Sequence, residues 1–298
     1  MKRIIGPRAF DFTRQVAVMA IVNRTPDSFY DAGATFALDA AVSAAERAIE
    51  DGADWVDIGG VKFAPGAPVP VAEEIERVIP VVRALQGSGA VLSVDTFHSE
   101  VARAAIAAGA HVINDTTGMR DPLMADVVAD SAATLVITHS LAAPRRAYPA
   151  PRYGDVVGEV ADFLRKRVDV AQRQGVPAER IVLDPGHDLN KNTLHSLELT
   201  RRLDEVVALG YPTLVALSNK DFIGESLDRP RAERVPGSLA AAVWCVLHGA
   251  RILRVHNVRE SVDAVRMIEA IQGWREPAYL EHNMGAGVTE QGGADARP

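Results

Sequence analysis

Eight short apolar runs recur along the chain, each leading into a polar or Pro/Gly-containing stretch and then into a segment of helical periodicity. The runs fall at residues 16–22, 55–60, 91–95, 111–114, 134–138, 180–184, 213–218 and 251–255. They are continuous and rich in β-branched residues, as expected of strands covered on both faces. The intervening segments predict helices at 38–50, 71–85, about 100–109, 122–129, 156–174, 192–209, 238–248 and 261–271. Glycines at 52, 109, 175 and 210 close four of them. Strands alternating with helices imply a parallel sheet wrapped in helices. With eight strands and no Gly-x-Gly-x-x-Gly turn after the first, the pattern predicts a single-domain α/β protein, a (β/α)8 TIM barrel over 1–276. Residues 277–298 lack periodicity and are expected to form a disordered tail.

A barrel brings the carboxyl ends of its strands to one mouth, so polar residues that close the apolar runs become neighbours. Asp95, Asn114 and Asp184 close runs three, four and six, and Lys220 follows run seven. Singly, a strand-end Asp is more often a cap or turn residue. Together, two carboxylates, an amide and an ammonium form a set suited to a planar heterocycle with several N–H donors. Arg254 and His256 end run eight, where barrel phosphate sites gather, although an isolated Arg there equally suits an ion pair with a rim carboxylate. Asn23 fits two readings: an oxygen ligand for Mg²⁺, or the turn residue that opens the first loop. His139, His187 and His195 lack zinc-ligand spacing. Lys191 reads as a solvated or capping lysine. The connection at 139–155, with Pro144, Pro149 and Pro151, suits either a lid or a surface excursion.

Length and charge sharpen this little. The 298 residues are 48% hydrophobic, enough for one large core, and a formal charge of −7 offers no general attraction for nucleic acid or an anionic membrane. The lone Cys245 lies in an apolar helix and reads as a packing residue. No stretch is apolar enough for a signal peptide or a membrane span, so a soluble cytoplasmic protein is expected.

From about Val18 to Val258 the ordered motifs resemble one family. They are Asn23 with Thr25-Pro26-Asp27-Ser28-Phe29, Asp57-Ile58-Gly59-Gly60 with Pro65-Gly66-Ala67, Ser93-Val94-Asp95-Thr96, and Ile113-Asn114-Asp115. Asp184-Pro185-Gly186, Ser218 with Lys220 and Phe222, and Arg254-Val255-His256 complete the set. On these residues the chain resembles the dihydropteroate synthases, pterin-binding barrels that condense 6-hydroxymethyl-7,8-dihydropterin diphosphate with p-aminobenzoate. The resemblance implies a homodimer, a pterin pocket of Asp95, Asn114, Asp184 and Lys220, and a Mg²⁺-diphosphate site of Asn23, Arg254 and His256.

The chain departs from the family at several positions. The family's loop-two Glu-Ser-Thr-Arg becomes Val61-Lys62-Phe63-Ala64, so a Thr and an Arg are replaced by Phe63 and Ala64. Losing a guanidinium beside a departing diphosphate is expected to cost roughly 10²–10³ in rate, and Lys62 replaces it only as a point charge. Asn219 and Asp221 replace an Arg and a Ser, and a carboxylate at Asp221 would repel that of p-aminobenzoate if it faces the same space. Asp188 stands where the family's glycine lets the backbone approach the pterin. Thr138 replaces a ring-packing Met, Asn257 an Asp, and Arg24 a Val. These changes predict a paralogue that keeps the barrel and has lost or nearly lost the synthase reaction, and that takes a pterin-like, sulfa- or sulfone-like aryl ligand or a partner instead. An active synthase with unusual loops and a folate-dependent transferase are the alternatives.

Overall fold

The computed structural model describes residues 1–24 and 34–284. The loop-one motif Thr25–Phe29 and most of the predicted tail lie outside the described residues. The chain opens with a hairpin, β1 (Lys2–Ile5) and β2 (Arg8–Asp11). The barrel follows as β3 (Ala17–Asn23), α1 (Ala34–Glu50), β4 (Trp55–Gly59), α2 (Val71–Ala84), β5 (Val91–Asp95), α3 (Ser99–Ala107) and β6 (Val112–Asp115). It continues with α4 (Met124–Ala129), β7 (Thr134–Thr138), α5 (Val156–Arg173), β8 (Ile181–Asp184), α6 (Thr193–Arg201) and α7 (Leu203–Val207). Then come β9 (Thr213–Val215), α8 (Asp221–Leu227), α9 (Val235–Leu247), β10 (Ala250–Val255) and α10 (Val258–Ile271). Strands β3 to β10 pair in parallel and close, β10 joining both β9 and β3. The predicted (β/α)8 barrel is therefore the observed architecture.

Alternation along each strand builds two cores. Outward residues such as Val18, Val56, Leu92, Ile113, Leu135, Ile181 and Leu253 pack under the helices. Their neighbours Met19, Trp55, Val91, Val112, Val136, Val182, Leu214 and Ile252 fill the barrel interior. Side chains two residues further along share the inward direction. Six of those eight residues are polar: Asp57, Ser93, Asn114, Thr138, Asp184 and Arg254. The interior is thus apolar at its lower layer and polar at the mouth, which is why the runs read as continuous apolar stretches ending in chemistry.

The hairpin has no counterpart in the sequence prediction. Its strands are four residues each, turning at Gly6 with φ of 54°. Ile5 and Phe10 join the interior core, with Phe10 stacked on Phe12 at 5.4 Å and edge-on to Trp55 at 5.9 Å. It plugs the end of the barrel opposite the mouth.

Other elements depart from the prediction as well. The predicted 192–209 helix breaks at Arg202, whose guanidinium pairs with Glu198, Glu205 and Asp155. Strand β9 stops at Val215 rather than 218, and the unpredicted α8 starts beyond Lys220. Cys245 is buried, and burial pushes its thiol up to about 12, consistent with packing.

Candidate ligand-binding site at the barrel mouth

A carboxylate in the middle of an apolar strand must find partners or cost several kcal/mol. Asp57 does so at the centre of the mouth. It is fully buried and accepts from Ser93 Oγ at 2.5 Å, Asn114 Nδ2 at 3.0 Å and Arg254 Nε at 2.6 Å. Arg254 extends its other arm, Nη2, to Asp95 Oδ2 at 2.9 Å. The guanidinium fork thus ties β10 to β4 and β5. The ion-pair alternative for Arg254 is the arrangement observed, and an anion would have to share this guanidinium with both carboxylates.

These contacts decide what remains for a ligand. With Nδ2 of Asn114 given to Asp57, its Oδ1 is buried without a hydrogen-bond partner among the described residues. Asp95 is paired with Asn114 across the β5/β6 ladder and keeps 18% of its side chain exposed. Burial pushes its carboxyl up to about 7; Arg254 pulls it down, while Asp57, Glu74 and Asp115 push it further up. On the other side of the mouth, Thr138 pairs with Asp184 across β7/β8. Asp184 accepts from Gly186 N at 2.7 Å, and its carboxyl is raised by burial and lowered by Lys220. Lys220 donates to the carbonyl of His187, and burial lowers its ammonium. Asp95, Asn114, Asp184 and Lys220 therefore share one mouth with Arg254.

Asn23 and His256 flank this set. Asn23 lies in register with Gly59, which is in register with Asp95, and its Oδ1 sits 2.9 Å from where a Cβ on Gly59 would stand. Asn23 offers one hard oxygen there, and among the described residues no group of three His, Cys, Asp or Glu side chains is placed to hold a metal. His256 is exposed and meets Ser218 Oγ at 3.3 Å through Nδ1. Partial loss of hydration at the mouth, with the charges of Arg254, Arg231 and Lys220 nearby, lowers its imidazole to about 4.

Several altered positions serve the scaffold. Arg24 Nη1 donates to the carbonyls of Glu76 at 3.0 Å and Arg77 at 2.8 Å in α2. Pro80 lies four residues beyond Glu76 and has no N–H to give it, so Arg24 satisfies a carbonyl the helix leaves open. Asp188 and Asn190 hold φ of 61° and 53°, the left-handed region, which Asp and Asn tolerate better than most residues. The carboxylate of Asp188 receives Ser196 Oγ at 3.0 Å and the Asp221 amide at 2.8 Å. Asp221 in turn accepts from Arg234 Nη1 at 2.8 Å, and its side chain is 85% exposed. Its charge is thus spent on Arg234 at the start of α8. Asn219, at φ of 59°, donates to Asn257 Oδ1 at 3.2 Å. Thr138 lies fully buried beside Asp184.

Lys191 corrects the expectation of a solvated lysine. It is buried, donating to the carbonyl of Gly186 at 2.8 Å and meeting His139 Nδ1 at 2.8 Å. Burial lowers its ammonium to about 7. It binds the 186–191 turn from within. Gly186 is required there: at φ of 68°, a Cβ would stand 2.1 Å from the His139 carbonyl.

Sequence reasoning held Asp57 and Ser93 only as parts of motifs, without a site role, and missed the buried Glu74, whose Oε2 meets His98 Nδ1 at 2.8 Å and raises that imidazole. The signal for Asp57 was its position two residues before Gly59, which puts it on the inward face.

A (β/α)8 barrel whose mouth collects acceptors around a buried amide defines a class of small-molecule binding barrel. Its family follows from comparison: the chain belongs to the pterin binding enzyme family, whose sequence profile matches residues 19–256. It is 46% identical over 284 residues to inactive dihydropteroate synthase 2 of Mycobacterium leprae (strain TN), covering 93% of this chain and 97% of that protein. It is 40% identical over 266 residues to dihydropteroate synthase of Escherichia coli (strain K12), covering 89% and 94%. The solved dihydropteroate synthase of Xanthomonas albilineans with 4-aminobenzoic acid superposes with a TM-score of 0.83 at 43% identity, covering 89% of this chain and 96% of that one.

Proposed function

We propose that the chain is a divergent dihydropteroate synthase paralogue that keeps a pterin pocket and has lost or nearly lost the condensation with p-aminobenzoate. The observation that carries this reading is the split between the two halves of the mouth. In the heterocycle half, Asp95, the unpartnered Asn114 Oδ1 and Asp184 offer acceptors and Lys220 a donor, matching the donor-rich edge of a pterin. In the other half, loop two offers Phe63, packed 6.1 Å from Tyr148, and Ala64 where the family has a hydroxyl and a guanidinium. A relative 46% identical and matching over 93% of the chain is named inactive.

Arg254 and the nearby Arg231 favour an anionic group on the ligand, to which the neutral ring of His256 can donate a hydrogen bond, and Asn23 fits as one oxygen ligand of a Mg²⁺ whose other ligands come from phosphate and water. When bound, that ion would neutralise diphosphate charge. Arg254 would orient the same group while holding Asp57 and Asp95.

A homodimer suits the outer surface: Trp244 and Leu247 of α9 and Met267 and Ile271 of α10 stand 45–63% exposed on neighbouring helices. Among the described residues no helix is long and apolar enough to cross a membrane.

Dihydropteroate formation, measured on the parent chain and on Phe63→Thr/Ala64→Arg, tests the reading. Turnover by the parent equal to that of an intact synthase overturns it in favour of an active enzyme, the reading that the retained Asp95, Asn114, Asp184 and Lys220 favour. Pterin binding by calorimetry without turnover supports it.

A further inference from the structure

Loop two is not free over the mouth. The connection at 139–155 reaches it, and Arg145 enters it: Nε donates to the Ala67 carbonyl at 2.9 Å, and Nη1 to those of Ala64 at 2.8 Å and Lys62 at 3.4 Å. The backbones join as well, Arg145 N to Phe63 O at 3.1 Å and Gly66 N to Arg145 O at 3.4 Å. Arg145 holds φ of 60°, a conformation costly for a long side chain and kept only where surroundings impose it. Gly66 lies flat against the guanidinium, so that a Cβ there would stand 2.1 Å from Nη2. At its far end the connection is tied down by Tyr153, whose hydroxyl donates to the Asn190 carbonyl at 3.1 Å.

Loop two follows β4 and the connection follows β7, so their contact spans the arc of rim at the ends of β5 and β6. Those ends carry Asp95 and Asn114.

We propose that Arg145 is a latch: a positioning residue that fastens loop two to the 139–155 connection and sets how fast a pterin enters and leaves the mouth. The role in ligand passage rests on the heterocycle pocket proposed above; the latch itself does not. A planar fork suits the site, because Nε and Nη1 reach the Ala67 carbonyl and the Lys62 and Ala64 carbonyls from two separate nitrogens, whereas the three N–H groups of an ammonium radiate from one. Opening must break these contacts together, so ligand passage is limited by the latch while affinity, set by Asp95, Asn114 and Asp184, is not.

The test uses the full chain, its Arg145→Ala, Arg145→Lys and Gly66→Ala variants, and the Arg145→Ala/Gly66→Ala double variant. Hydrogen exchange of 61–68 is read by mass spectrometry, and binding of unsubstituted pterin by stopped-flow fluorescence. Exchange in 61–68 is expected to rise about tenfold in Arg145→Ala and Gly66→Ala, with no further rise in the double variant and no rescue by lysine. Pterin association and dissociation rates should rise together, leaving Kd within about threefold of the parent. Unchanged exchange in Arg145→Ala, or additive effects in the double variant, overturns the latch. Faster exchange with unchanged pterin rates overturns its control of passage. Absence of pterin binding in every variant overturns the pocket reading and the passage role built on it, while exchange judges the latch by itself.

Discussion

Replacing Asp57 with asparagine removes one charge from the mouth and almost nothing else. The amide is isosteric, its oxygen can still accept from Asn114 Nδ2 and Arg254 Nε, and its nitrogen can donate to Ser93 Oγ, since a hydroxyl serves either role. What disappears is the counter-charge of Arg254, a guanidinium only 17% exposed. Removing one member of a buried pair costs about 3–5 kcal/mol. Arg254 keeps Asp95 at 2.9 Å, so the lower end, about 3 kcal/mol, is expected. Urea unfolding followed by circular dichroism measures it. The same change should acidify Asp95, because a neighbouring negative charge that raises its carboxyl is gone and Arg254 has one fewer partner. Arg254→Met in the Asp57→Asn background should recover part of the loss below pH 7, where Asp95, left without its cation, carries a proton and no charge is stranded. A loss below about 1 kcal/mol, or a double variant weaker than the single, would refute the view that Asp57 exists to hold Arg254.

Asp95 gives the mouth a pH dependence. A carboxyl raised to about 7 keeps its proton in the folded chain after the unfolded chain has lost it, so its contribution to stability is full below about pH 4 and is lost as pH rises to 7. A ligand that donates N–H to Asp95 needs the anion, so pterin affinity should rise up to about tenfold per pH unit towards pH 7 and level off above, and Asp95→Asn should flatten the profile. Arg24→Ala should cost about 1–2 kcal/mol by uncovering the Glu76 carbonyl, and less in a Pro80→Ala background where the helix bond returns; paired urea titrations decide. Trp244→Glu should weaken the homodimer proposed above, read by size-exclusion light scattering, without lowering pterin affinity, and a dimer that survives would place the interface elsewhere.

The barrel was legible because its outward face is apolar along the whole strand and its inward face turns polar only towards the carboxyl end. Asp95, Asn114 and Asp184 therefore stood out as the ends of apolar runs. Asp57 was harder to see: two apolar or small residues, Ile58 and Gly59, follow it before the loop, and only the inward alternation shared with Trp55 reveals its direction. Lys191 was misjudged because nothing local shows that the 186–191 turn folds over its own lysine. The hairpin was missed because strands of four residues carry too little periodicity; what holds them is Phe10 meeting Trp55, a contact across 45 positions.

The departures from the family sort by the same logic. Asp188 stands where the family has a glycine, yet it and Asn190 keep the left-handed backbone as residue types that tolerate it, and the added carboxylate accepts from the first amide of α8 while acting on the neighbouring Lys220. Asp221 likewise turns to Arg234, so its charge gives no reason to exclude a second substrate's carboxylate. Neither change by itself argues for lost activity. Loop two is different, because Phe63 and Ala64 remove a hydroxyl and a guanidinium while Arg145 enters the same loop and spends its donors on backbone carbonyls. Three of its five N–H groups are committed to carbonyls, which fixes the fork on loop two and leaves the two on Nη2 for a departing diphosphate. If the condensation has been lost, the loss lies in this loop, and restoring its Thr and Arg while Arg145 remains latched should recover less activity than restoring them together with Arg145→Ala.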